Sequence, residues 1–113
     1  MKKYTLRFRK TDKGIFNDIK HGLKTIETRA ATDRFRSIKA GDILIFVCDK
    51  ERFEKKVKTV KFFKSINKMA KTIDFKKVMP RVSSVKKIKT IYYSFPGYRE
   101  KIKKVGLIAL ELK

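Results

Sequence analysis

Three side chains that can bind a polar ligand lie within one short segment of the chain: Lys24, Glu27 and Arg29. They occupy Gly-Leu-Lys-Thr-Ile-Glu-Thr-Arg at 22–29, and Ile-Lys-Ala-Gly-Asp and an apolar run follow at 38–47. A carboxylate can accept a hydrogen bond from an exocyclic amine such as cytosine N4, and Lys and Arg donate to phosphate or to base carbonyls. These residue types can therefore bind the polar groups of a base or a phosphate.

Strand alternation over 24–30 predicts that Glu27 and Arg29 share one face with Thr25, while Ile26 and Ala30 face the core. Strand alternation does not fix the direction of the Lys24 side chain, because this residue follows Gly22 so closely. Glu27, flanked by two cations, should stay ionised and accept hydrogen bonds rather than donate a proton. The alternative is a surface ion pair between Glu27 and Arg29, worth about 0–1 kcal/mol.

The elements that must position this segment follow from periodicity and from turn residues. Alternation and apolar runs predict strands at 3–9, 24–30, 43–48, 54–63 (with a bulge near Thr59) and 105–112. Helical spacing predicts helices at 13–21, 65–78 and from Ser83 or Ser84 onward, and a helical turn at 98–103. Asp12 is the expected cap of the first helix, Gly22 its expected stop, and 31–37 a polar loop. One α+β domain over residues 1–113 is expected, with five or six strands closing a small barrel and two or three helices covering it.

The charge of the chain is its extreme compositional feature. There are 32 Lys and Arg residues against 11 Asp and Glu, a net charge of +21. Self-repulsion on this scale favours an anionic partner, and nucleic acid is the commonest one. The alternative is a compositional habit of the source, since the chain has no Gln and two Asn, and amide depletion with Lys enrichment is typical of hyperthermophiles.

Other classes of function have little support in the sequence. A lone Cys48 with a lone His21 gives no metal-binding cluster, and Cys48 ends an apolar run, which indicates a core residue. The N-terminal Met-Lys-Lys leads into an alternating strand rather than the apolar core of a signal peptide, and no run is long enough to span a membrane. We therefore expect a cytoplasmic protein with no metal, no cofactor and no membrane partner.

The segment at 22–29 resembles the GxKxxExR signature of the ASCH domains, which are small barrels of the PUA-like superfamily. The resemblance extends to Ile-x-x-Gly-Asp before an apolar strand at 38–47 and to a Phe-Pro-Gly turn before Val-Gly-Leu-Ile-Ala-Leu at 105–110. It implies a PUA-like barrel whose signature residues line a cleft for RNA or a nucleotide-like ligand. Lys24, Glu27 and Arg29 are the expected pocket residues.

Four aromatic side chains near the C-terminal turn are candidates to stack on a base: Tyr92, Tyr93, Phe95 and Tyr98. Stacking of this kind is worth about 1–3 kcal/mol per base. The alternative for each of them is packing in the core or at its rim.

Two other classes of function stay open at this point. Some ASCH-like proteins are amidohydrolases that act on N4-acetylcytidine. This chain resembles them at Lys24 but has Glu27 where they have a Thr nucleophile. Those enzymes also use a Glu after the fourth strand, and the corresponding region of this chain, 64–80, contains no Glu and only Asp74. Thr25 with Lys24 and Glu27 would be the catalytic set of such an enzyme, or of a ribonuclease. A basic structural component of a ribonucleoprotein is the remaining class. RNA or a nucleoside-like ligand is the partner that the sequence favours.

Overall fold

The computed structural model describes all 113 residues. Five strands form one sheet: β1 (Lys3–Phe8), β2 (Ile26–Ala30), β3 (Ile43–Cys48), β4 (Glu51–Phe63) and β5 (Leu107–Leu112). Six α-helices pack around it: α1 (Lys13–Lys20), α2 (Asp33–Arg36), α3 (Ile66–Thr72), α4 (Phe75–Val78), α5 (Val85–Ser94) and α6 (Tyr98–Val105). A 3-10 turn at Lys10–Asp12 precedes α1.

The sheet has the strand order β1-β3-β4-β5-β2 and curls into a half-barrel. β1 and β3 run parallel, and every other neighbouring pair is antiparallel. The long β4 pairs with β3 through its first half and with β5 through its second, and the register shifts between Val57 and Thr59. This shift is the predicted bulge, and bulges bend and twist a strand. The edge strands β1 and β2 do not pair with each other, so the wall stays open between them.

Apolar residues form two clusters, one on each face of the sheet. The first contains Leu6, Phe16, Leu44 and Phe46 and fills the inside of the half-barrel against α1. The second lies beneath α3 to α6 and includes Ile66, Ile88 and Tyr92. β5 serves both clusters, since Ile108 and Leu110 belong to the first and Leu107 and Ala109 to the second. This explains why its sequence is apolar almost throughout.

Several boundaries differ from the sequence expectations for identifiable reasons. The helical region at 65–78 is divided, because Asp74 caps a new helix by accepting a hydrogen bond from the Lys76 N–H. Residues 31–37, expected as a polar loop, contain the single turn α2, which buries Phe35. The short helices α2, α3 and α4 raise the number of helices to six, above the two or three expected. Ser84 caps α5 as predicted.

The N-terminus of α1 differs from expectation as well. Asp12 is its N-cap residue, yet the carboxylate accepts from Arg9 Nε at 2.9 Å instead of from the helix backbone. Gly22 has φ +78° just beyond the helix and ends it as predicted. No helix of the structure is long and apolar enough to cross a membrane.

Gly106 connects α6 to β5 in a conformation that only glycine adopts readily, with φ +77°. A Cβ at this position would lie 2.5 Å from the Phe63 carbonyl oxygen, which is main chain and cannot move aside. Gly106→Ala should therefore lower the free energy of unfolding by about 3 kcal/mol or more, measured by chemical denaturation.

Gly14→Ala is the matched control for this substitution. A Cβ on Gly14, in α1, would have no atom within 4 Å. Ala is a better helix former than Gly, so stability should rise by about 0.5–1 kcal/mol. Equal and small effects at both positions would contradict the fold described for the α6–β5 connection.

Candidate functional site

A cleft opens where the barrel wall is interrupted, between the edge strands β1 and β2. It encloses about 270 Å³ and is covered on one side by the turn between α5 and α6. Fourteen residues line it: Arg7, Phe8, Arg9, Asp12, Ile15, Lys24, Glu27, Thr28, Arg29, Met79, Tyr92, Phe95, Pro96 and Tyr98.

The predicted trio meets in this cleft. Glu27 Oε1 lies 3.6 Å from Lys24 Nζ, and Glu27 Oε2 lies 3.4 Å from Arg29 Nη2. The Thr28 N–H also donates to Glu27 Oε1, at 2.8 Å. Lys24 and Glu27 are each only 4% exposed. The alternative of an exposed surface pair is therefore wrong, and Glu27 is a buried carboxylate held between two cations.

Lys24 is the most constrained member of the trio. Its Nζ donates to the Val78 carbonyl oxygen as well as facing Glu27. Burial lowers the pKa of Lys24 below its usual value of 10.5, because the ammonium loses its hydration; the charge of Glu27 opposes this shift but does not cancel it.

The main chain around Lys24 explains how its side chain reaches the interior. After α1 ends, the N–H groups of Leu23 and Lys24 both donate to the Asp18 carbonyl oxygen, and the Thr25 N–H donates to the Lys77 carbonyl oxygen. The Asp18 carboxylate is bound by Arg81 through two hydrogen bonds of 2.9 and 3.0 Å. The Arg81–Asp18 pair attaches the segment after α4 to α1. This attachment fixes the position of the Val78 carbonyl group, which accepts a hydrogen bond from Lys24 Nζ.

Aromatic side chains form one wall of the cleft. The rings of Tyr92 and Tyr98 are stacked at 6.3 Å, and Phe95 meets Tyr98 edge to face at 5.3 Å. The Tyr92 hydroxyl bonds with the Thr28 hydroxyl, and the Tyr98 hydroxyl accepts from the Ala30 N–H at 3.3 Å. Burial raises the pKa of Tyr98, and that of Tyr92 well above its ordinary value, so both phenols stay protonated.

Tyr93 is the one candidate stacking residue that the structure places elsewhere. It is 40% exposed and does not line the cleft; the Arg99 guanidinium lies 5.3 Å from its ring centre. On α5 it follows Tyr92 directly, and adjacent helical positions point in different directions.

Sequence reasoning missed the contribution of β1 to the cleft. Arg7 lies on this strand and Arg9 directly after it, and both line the cleft with Phe8. The Arg9 guanidinium lies 5.6 Å from the centre of the Phe95 ring. The outward alternation was visible in the sequence, but nothing in it indicated that β1 and β2 become facing edges.

Of the residues of the enzymatic alternative, Lys24 and Glu27 meet in the cleft, but Thr25 does not join them. Thr25 does not line the cleft, and its carbonyl oxygen accepts from the Leu112 N–H. Asp74 lies at a separate depression of about 150 Å³, which also contains Thr59 and Glu111. Cys48 is buried in the first apolar cluster, and the chain has no group of three or more His, Cys, Asp and Glu side chains that could hold a metal ion.

Comparison with known proteins agrees with this architecture. A family model described as the ASCH domain matches residues 10–113. The crystal structure of hypothetical protein PH0355 is 30% identical and superimposes with a TM-score of 0.85, over 100% of this chain and 98% of that one. The solution NMR structure of protein PF0455 from Pyrococcus furiosus is 27% identical with a TM-score of 0.76, over 98% and 96% respectively. These neighbours support the predicted PUA-like barrel. No curated protein matches the chain.

Removing the Lys24 ammonium should change how stability depends on pH. The unfolded chain holds the Lys24 proton more tightly than the folded protein, so folding becomes more favourable as pH rises from the lowered pKa toward 10.5. The free energy of unfolding of the wild type should therefore rise relative to that of Lys24→Met over this window, measured by urea denaturation at several pH values.

Lys101→Met removes one positive charge from an exposed position of α6 and serves as the control. It should show no comparable pH-dependent difference from the wild type. A constant difference between wild type and Lys24→Met from pH 7 upward would contradict the burial of a charged Lys24.

Proposed function

The chain belongs to the ASCH domain family, and from that premise we propose that it binds single-stranded RNA or a nucleotide through the cleft between β1 and β2. One observation carries the proposal: a single cleft contains both aromatic rings and arginine side chains. Rings can stack on a base and guanidinium groups can bind its phosphate, which is the combination that single-stranded nucleic acid requires.

The aromatic contribution rests on Phe95 and Tyr98, which are only partly buried and line the cleft. Tyr92 is 2% exposed and is committed to Thr28, so it supports the wall from behind. The base would therefore pack against the outer two rings.

The charge contribution comes from the cleft and from the surface around it. The cleft is lined by two carboxylates, those of Asp12 and Glu27, and by four cationic side chains, those of Arg7, Arg9, Lys24 and Arg29. In the whole chain, ion pairs engage nine of the 32 Lys and Arg residues. The remaining cations have no acidic partner within 4 Å, and such a field attracts a polyanion at high rate.

The competing class is a basic protein that holds RNA only through its surface charge. Both classes predict tight, salt-dependent binding, but only the proposed function requires the cleft. The enzymatic alternative has less support, because Thr25 and Asp74 lie outside the cleft that contains Lys24 and Glu27.

Replacing a cleft aromatic should weaken binding more than replacing one outside it. Phe95→Leu keeps an apolar side chain and removes the ring, so affinity for short single-stranded RNA should fall by about 1–3 kcal/mol. Tyr93→Leu removes a ring of the same helical region outside the cleft and should leave affinity unchanged. Fluorescence anisotropy with a labelled oligonucleotide measures both, with melting temperatures checked in parallel. Equal losses from the two variants would show that the cleft is not the binding site.

Binding should also depend steeply on salt. If about six phosphates are contacted, affinity should fall ~10³-fold or more between 50 and 200 mM salt. Phe95→Leu should lower affinity at each concentration without changing this slope, because the ring carries no charge. A slope near zero for the wild type would contradict the contribution of the basic surface.

A further inference from the structure

The Arg29 guanidinium, on the edge strand β2, lies between aromatic rings. Its carbon atom lies 5.0 Å from the centre of the Phe8 ring and 5.9 Å from that of Phe35. Its side chain is 20% exposed, and it lines the cleft. Contact with two rings restricts the guanidinium before any ligand arrives, so little side-chain entropy is lost on binding.

Most of the hydrogen-bond donors of Arg29 have no acceptor in the protein. A guanidinium has five N–H donors, and the structure gives Arg29 one hydrogen bond, from Nη2 to Glu27 Oε2 at 3.4 Å. No buried side-chain nitrogen or oxygen of the chain lacks a partner. Arg29 Nε and Nη1, which have no partner, are therefore accessible, and the side chain lines the cleft.

Glu27 is already occupied by groups of the protein. Its oxygens face the Thr28 N–H, Lys24 Nζ and Arg29 Nη2, and its side chain is 5% exposed. The carboxylate thus orients the guanidinium and balances Lys24, and little of it is available to a base.

We propose that Arg29 is the phosphate-binding residue of the cleft and that Glu27 is its positioning residue. The inference rests on the proposed function and narrows the ligand to a nucleotide that carries a phosphate, either a free nucleotide or the phosphorylated end of a strand. A planar guanidinium can bind two phosphate oxygens at once. Arg7, which has no acidic partner within 4 Å and lines the same cleft, supplies a second cation for the same group.

Calorimetric titration of the wild type with the four ribonucleosides and their 5′- and 3′-monophosphates tests this assignment. The monophosphates should bind about 10- to 100-fold more tightly than the nucleosides, the range expected for hydrogen bonds between charged groups. Arg29→Lys keeps the positive charge but removes the planar guanidinium. It should reduce the ratio of the affinity for monophosphates to that for nucleosides about tenfold or more. Arg99→Lys is the matched control, because Arg99 also lies against an aromatic ring, that of Tyr93, but outside the cleft; its ratio should equal that of the wild type.

A comparison of 5′-phosphorylated and unphosphorylated trinucleotides then separates the two sources of the phosphate. Preference for the phosphorylated trinucleotide over the free monophosphate assigns the site to a strand end, and the reverse preference assigns it to a free nucleotide. Because each outcome involves a phosphate in the cleft, both are consistent with the proposal.

Other results would overturn the proposal or the function separately. Nucleosides that bind as tightly as monophosphates, or a ratio unchanged in Arg29→Lys, would overturn the role of Arg29 and leave the proposed function standing. Inorganic phosphate that binds as tightly as the nucleotides would support the phosphate site and count against a nucleotide ligand. If Arg29→Lys does not fold, a wild type that binds nucleosides and monophosphates equally tightly would still overturn the proposal.

Discussion

The pairing of a buried carboxylate with two cations, Glu27 with Lys24 and Arg29, is the interaction on which the rest of this structure depends. A buried charge without a partner is strongly unfavourable, and removing one member of such a pair typically destabilises a protein by about 3–5 kcal/mol. Several parts of the chain must converge to satisfy this group: the end of α1, strand β2 and the Val78 carbonyl at the end of α4. The barrel and the helical layer are thereby fixed relative to each other at one point.

The same interaction explains why the barrel can remain open at this side. β2 has no strand partner beyond β5, and an unpaired edge must satisfy its N–H groups in another way. Here side chains do so, because the Thr28 N–H donates to Glu27 and the Ala30 N–H to the Tyr98 hydroxyl. An edge protected in this manner leaves room for a cleft, where a sixth strand would have closed the wall. In this chain the signature residues Glu27 and Arg29 therefore lie at the gap between the edge strands.

Much of the fold could be predicted from periodicity, and the members of the site only in part. Strand β3 and the cap at Ser84 agree with expectation, since alternation and capping are local properties. The split at Asp74 was missed, because an apolar stripe does not reveal where a helix restarts. The contribution of Arg7 to the cleft was missed for a different reason: it depends on the strand order, which brings residues distant in sequence to facing edges. The burial of Glu27 likewise follows from tertiary contacts that no local pattern contains.

Chemical-shift mapping by NMR with a short single-stranded RNA reports where on the molecule the ligand lies, and so distinguishes binding in the cleft from binding by surface charge. Binding in the cleft should produce large changes at the Arg29 Nε–H and at the ring protons of Phe95 and Tyr98, with little change at the exposed rings of Tyr93 and Phe62. Changes spread over the lysine-bearing surface, with none at the cleft residues, would contradict it and would identify a protein that binds RNA by charge alone.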